Sequence, residues 1–155
     1  MLEKVYKFNN LIGNHKGDLS APDWVKLEAQ AKLIVEEAEE LLEAAQLGDI
    51  KAVRKELCDC FVTAGGFSHL SGVDIEKDME VVNCSNLTKF CLTTEQVVRS
   101  QVMFRENNVL VTQVSNDGKS IGFISTVNQT GEDGKFYQKG KLLKPWHFKE
   151  GKLDD

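Results

Sequence analysis

Glu36-Glu37-Ala38-Glu39-Glu40-Leu41-Leu42, answered downstream by Lys55-Glu56-Leu57-Cys58-Asp59-Cys60, is the part of the chain that decides its fold. Each stretch holds an acidic pair spaced three apart, Glu37 with Glu40 and Glu56 with Asp59. On a helix, that spacing sets both carboxylates on one face. Two such pairs facing each other concentrate four negative charges in one cleft, and only cations relieve that. The pattern predicts two neighbouring helices that build a divalent-metal site.

The flanking residues support this. Ser20-Ala21-Pro22-Asp23 is a helix start signal, with Pro22 suited to a first turn, and Gly48 followed by Asp49 ends one helix and caps the next. The first long helix is therefore expected to run to about Leu47 and the second from about Ile50 to Leu70. At roughly 100° per residue, Leu27, Ile34, Ala38, Leu41 and Ala45 form one apolar stripe. Glu37, Glu40 and Leu33 fall on its flank, whereas Glu36, Glu39 and Glu43 fall on the opposite, water-facing side. The second helix repeats the scheme around Glu56. Val53, Leu57, Cys60, Ala64 and Phe67 form its stripe, Asp59 lies on the flank, and Lys51, Lys55 and Val62 point away.

Outside this pair, residues 3–12 read as a short helix with Val5, Phe8, Leu11 and Ile12 on one side, and residues 13–20 as a loop. Asp74 is positioned to cap a third long helix, Ile75 to about Phe90, with Ile75, Met79, Val82 and Phe90 as its stripe. Asn86 falls inside that stripe and Asn83 at its edge. A buried amide without a partner costs about 1–3 kcal/mol, so both are expected to be bonded inside, with Lys89 one turn on. Thr93-Thr94-Glu95-Gln96 resembles a capping box and starts a helix to about Asn107. Val109 to Val114 and Ile121 to Val127 read as a hairpin around Asn116-Asp117-Gly118-Lys119. The tail holds two turn-like stretches, Glu132-Asp133-Gly134-Lys135 and Lys139-Gly140-Lys141, and its lysines are expected to form a solvated end. Trp24 is expected to pack against the first helix.

Composition narrows the function. At 155 residues, 41% hydrophobic and 28% charged, the chain suits one globular domain. Its net charge of -5 argues against a nucleic-acid binder, which needs a basic face. A phosphate-bearing substrate remains compatible, because a bound metal supplies positive charge. No long apolar run or signal peptide is seen, and Cys58, Cys60, Cys84 and Cys91 show no C-x-x-C pair, so a reduced cytoplasm is expected. His15, His69 and His147 lack ligand spacing, which favours structural or surface roles.

Magnesium takes oxygen ligands, keeps several waters and bridges to substrate phosphates, so four acids on two helices suit it, with manganese as a second candidate. Glu37-x-x-Glu40 followed by Glu56-x-x-Asp59 resembles the signature of the all-α nucleoside triphosphate pyrophosphohydrolases. That group includes the MazG-type enzymes, the dimeric dUTPases and the phosphoribosyl-ATP pyrophosphatases. Phe8 with Gly13, Pro22, and Leu33-Ile34-Val35-Glu36-Glu37 resemble its first segments, and Ser85-Asn86-Leu87-Thr88-Lys89 its downstream asparagine–lysine motif. Asp133-Gly134-Lys135 with Gly140-Lys141 and Lys144 is similar to the tail of a phosphoribosyl-ATP pyrophosphatase-like branch. The chain departs from the pattern between Cys91 and about Gln129, where a helix and hairpin intervene.

The resemblance implies an all-α, MazG-like helical bundle with a small β-hairpin extension in the C-terminal third. Residues 1–90 would be the catalytic core, and 91–155 a helix, hairpin and basic tail appended to the same domain. It implies Glu37, Glu40, Glu56 and Asp59 as metal ligands and catalytic groups, and Asn83, Asn86 and Lys89 as phosphate or sugar contacts. The implied reaction is magnesium-dependent cleavage of (d)NTPs to (d)NMP and pyrophosphate, in housecleaning of the nucleotide pool. A homodimer or homotetramer with neither nucleic-acid nor membrane partner is expected. One alternative is phosphoribosyl-ATP pyrophosphatase. Another is a non-enzymatic helical interaction module, which would use exposed Glu36, Glu39 and Glu43 instead of Glu37 and Glu40.

Overall fold

A computed structural model of the chain describes residues 2–153. Two compact units divide it, residues 1–75 and 76–155. The first consists of α1 (Leu2–Leu11), α2 (Trp24–Leu47) and α3 (Ile50–Ser71). Asp23 caps α2 by accepting a hydrogen bond from the Lys26 amide at 3.2 Å, and Asp49 caps α3 by accepting from Lys51 and Ala52 at 3.0 Å. Between them Gly48, at φ +70°, closes α2 in the left-handed conformation and lets α3 return antiparallel. Register is set by Gln30, whose amide donates to the Thr63 carbonyl at 3.0 Å. Gly66 leaves room for that approach: a Cβ there would stand 2.9 Å from Gln30 Nε2 and push the amide aside.

This close seam turns the packed faces toward the acids. α2 buries Leu27 and Ala44 and half-buries Ile34, Glu37 and Leu41, but Ala38 and Ala45 are exposed, contrary to the expected stripe. α3 buries Glu56 and leaves Leu57 and Ala64 exposed. Glu37, Glu56 and Asp59 thus lie in the seam and not on its flank. The physical reason is the small and polar contact at Gly66 and Gln30, which selects the faces that meet. Trp24 also departs from expectation: at 72% exposure it is too open for a residue packed into a helix–helix contact. His69 is structural, buried at the end of α3 with Nε2 hydrogen-bonded to the Asn14 carbonyl at 3.0 Å and its ring 5.2 Å from that of Tyr6.

The second unit contains α4 (Ile75–Leu87, from the unit boundary), α5 (Thr94–Glu106), β1 (Val111–Val114), β2 (Gly122–Ser125), β3 (Gln129–Thr130) and β4 (Phe136–Tyr137). α4 stops at Leu87 and not at Phe90, because residues 88–90 tighten into successive three-residue turns. It buries none of its residues; Met79 and Val82 are exposed, and so are Asn83 and Asn86, which were expected inside. The Thr93–Gln96 capping box is present on α5. β1 and β2 pair antiparallel with Val111 opposite Ser125, around a turn where Gly118 has φ +68° and Asp117 accepts from the Lys119 and Ser120 amides. A second hairpin, β3–β4, surrounds the 132–135 turn; strands of two residues carry no readable alternation.

Cys91, Phe104, Val109, Phe123 and Leu143 form the core of this unit, with the Phe104 and Phe123 ring centroids 5.4 Å apart. The tail is part of the packing, not a solvated end. Leu143 N donates to the Phe123 carbonyl at 2.8 Å, and Trp146 N donates to Ser100 Oγ at 3.1 Å. Apolar Leu143 and Pro145, set between the lysines, are buried and hold it down. His147 bonds the Phe90 carbonyl through Nε2 at 3.1 Å, another structural histidine.

Candidate active site

Antiparallel pairing of α2 and α3 brings the two acidic motifs to one level of the seam. Glu37, Glu56 and Asp59 each offer a carboxylate oxygen, and these oxygens all lie within 4.8 Å of one another. Glu56 is buried, while Glu37 and Asp59 are half-buried. Glu40 stands beside them and is exposed. Repulsion from Glu56, then loss of solvent, then repulsion from Glu37 raise its carboxyl above the usual carboxylate range. Glu36, Glu39 and Glu43 face solvent, as their helical positions predicted.

Lys55 is the residue that sequence reasoning misplaced. Instead of pointing away, its ammonium donates to both Glu56 oxygens at 3.0 Å and reaches Asp59 Oδ2 at 3.0 Å. Those hydrogen bonds, to Glu56 first and Asp59 second, raise its proton affinity well above that of a free lysine. The four-residue spacing of Lys55 and Asp59 is the signal that was available in the sequence. One lysine leaves the cluster in deficit, since it faces two carboxylates and Glu37 forms no ion pair among the described residues. A buried carboxylate gathered with others needs compensation by charge or protonation. The donor set, oxygen-only and rich in carboxylate, fits a hard divalent cation.

Asn83, Asn86 and Lys89 belong to the second unit, on α4 and the turn after it. Lys89 Nζ donates to Asn86 Oδ1 at 2.7 Å, so these two are neighbours, and neither has an acidic partner among the described residues. All four cysteines are free. No helix among the described residues is long and apolar enough to cross a membrane.

Comparison with known proteins places this arrangement. The family model of phosphoribosyl-ATP pyrophosphohydrolase matches residues 5–86, which include all four acids, Asn83 and Asn86. Neither the curated proteins nor the solved structures compared with the chain give a match. The family is one of pyrophosphohydrolases, hydrolases acting on acid anhydrides, within the MazG-like all-α superfamily. That decides for an enzyme over an interaction module. The matched region covers more than half of the chain and contains the α2–α3 acids: the chain belongs to the phosphoribosyl-ATP pyrophosphohydrolase family.

Proposed function

We propose that this enzyme is a magnesium-dependent nucleoside triphosphate pyrophosphohydrolase that releases pyrophosphate from (d)NTPs and leaves the (d)NMP. The observation that carries the reading is the convergence of Glu37, Glu56 and Asp59 from two helices. Glu37, Glu40, Glu56 and Asp59 would hold the metal. When bound, magnesium or manganese would offset the carboxylate and phosphate charge and polarise the phosphoryl group. In the proposed reaction, a water oxygen bonds to the α-phosphorus and the bond from that phosphorus to the α–β bridging oxygen breaks. Pyrophosphate carries away the electron pair, and a carboxylate of the cluster takes the water's proton. Asn83, Asn86 and Lys89 contact phosphates or sugar in this reading. Residues 1–90 act as the catalytic core and residues 91–155 as its appended part.

The family match favours a second reading, hydrolysis of phosphoribosyl-ATP, by the same bond cleavage on a different nucleotide. A panel of NTPs, dNTPs, modified nucleotides and phosphoribosyl-ATP with magnesium, scored for pyrophosphate against phosphate, separates the two. Pyrophosphate from several (d)NTPs supports the first reading. Turnover of phosphoribosyl-ATP alone supports the second. Phosphate release in place of pyrophosphate contradicts both.

A homodimer or homotetramer, in the cytoplasm, completes the proposal. Trp24, Val25, Phe61 and Val62 are large apolar residues left open on α2 and α3, at 72%, 80%, 57% and 41% exposure. In this reading a second copy would cover such exposed apolar side chains.

A further inference from the structure

Lys55 enters the acidic cluster against its helical geometry. Adjacent residues on a helix point about 100° apart, so Lys55 and Glu56 do not face each other. A lysine four residues before an acid is also the weaker of the two pair orders. The ammonium nevertheless donates to both Glu56 oxygens and reaches Asp59 Oδ2, each at 3.0 Å. The field of the gathered carboxylates supplies what local spacing does not.

The two sides of this contact are held very differently. The Glu56 side chain is 12% exposed and that of Asp59 36%, whereas that of Lys55 is 66% exposed. Burial fixes the carboxylates in the seam, but an exposed lysine stem has little packing to lose. Its flexible four-carbon chain lets the ammonium swing into water without disturbing either helix.

The oxygens that Lys55 engages are those a divalent cation needs. One oxygen from each of Glu37, Glu56 and Asp59 lies within 4.8 Å of the others, and Lys55 covers both that Glu56 offers. Magnesium binds oxygen at about 2.0–2.1 Å. An ammonium kept 3.0 Å from the same carboxylate would set two cations side by side in a seam where water screens poorly.

We propose that Lys55 is the resident counter-ion of this site: it holds Glu56 and Asp59 together and gives way when a divalent cation binds, so that this lysine sets the metal affinity. The inference rests on the metal-dependent reading above and adds a positioning residue that the reading does not use.

Magnesium titration of the metal-stripped full chain by calorimetry at low salt tests it. Lys55→Gln removes the competing charge and should tighten magnesium binding roughly fivefold or more, while Lys55→Arg keeps a cation on the carboxylates and should not tighten it. Lys51→Gln makes the same charge change at an exposed lysine one turn earlier on α3 and should shift affinity less than about twofold. Nuclear magnetic resonance of isotope-labelled chain follows the ammonium itself. The side-chain N–H signal that Lys55→Gln removes should be visible in EDTA, protected by its hydrogen bonds, and lost at saturating magnesium. Unchanged or weaker magnesium binding in Lys55→Gln would overturn the proposal, as would equal tightening in Lys51→Gln or Lys55→Arg. An ammonium signal that persists at saturating magnesium, or is absent without it, would do the same. Failure of the metal reading looks different: the wild type then shows no saturable binding at all, and this proposal falls with it.

Discussion

Residues 1–75 carry 13 acidic and 8 basic side chains, whereas residues 76–155 carry 11 of each, so the whole net charge of -5 belongs to the helical unit. The units differ as much in what they bury. The second closes around a contiguous apolar core of Cys91, Phe104, Val109, Phe123 and Leu143. Among the described residues, the first buries only Val5, Leu27, Ala44 and Leu70 of its apolar side chains, alongside polar Asn9, Glu56, Ser68, His69 and Ser71. One unit stands on its own packing. The other is left with a charge deficit in its seam and apolar side chains open on its outside, and the proposed function would fill both, with a cation within and a second copy without.

This contrast can be broken at either end. The largest effect expected is on the self-sufficient core: Phe104→Ala should destabilise the second unit by about 3–5 kcal/mol, measured by denaturant unfolding. A loss below about 1 kcal/mol would mean that the unit is not held by this cluster. Next comes the seam. Glu56→Gln or Asp59→Asn should cut pyrophosphate release on the order of a hundred- to a thousandfold, with helicity by circular dichroism retained. Glu36→Gln, Glu39→Gln and Glu43→Gln should leave turnover near wild type; the reverse pattern would move the site to the exposed face.

Phe61→Glu tests the open apolar face. A charge placed in a covered interface costs about 2 kcal/mol or more, so sedimentation should show self-association weakened roughly thirtyfold. A wild-type chain that is monomeric at high concentration would remove the second-copy half of the contrast.

The smallest effect concerns Glu40. Its carboxyl is raised by Glu56 first, so just above the unfolded value the folded chain binds more protons than the unfolded one. Metal-free stability therefore falls as pH rises through that window, and the full cost is present above it. Glu40→Gln removes this cost. In EDTA the variant should melt slightly above wild type at pH 7 and not at pH 4. An equal gain at both pH values would contradict a charge origin.

Much of this was legible in the residues. Caps at Asp23, Asp49 and Thr93 and the stop at Gly48 located the long helices because capping is local chemistry, read within four residues. The acids were legible by spacing. The rotation of the α2–α3 seam was not, because it depends on Gly66 meeting Gln30 across 36 positions of chain, and helical periodicity reports one helix at a time. The reach of Lys55 back to Glu56 escaped for a related reason: a long side chain on the water side still bends toward a charge cluster. The β3–β4 strands were too short to show a pattern, and the tail lysines hid the apolar residues that fasten it.

The central claim is that carboxylates from α2 and α3 share a bound cation. Calorimetric titration of the metal-stripped chain with magnesium, repeated with manganese, addresses it without substrate. Saturable binding is expected in the wild type, weakened at least tenfold in each of Glu37→Gln, Glu56→Gln and Asp59→Asn and unaffected in Glu39→Gln. Equal affinity in all of these chains would contradict the account.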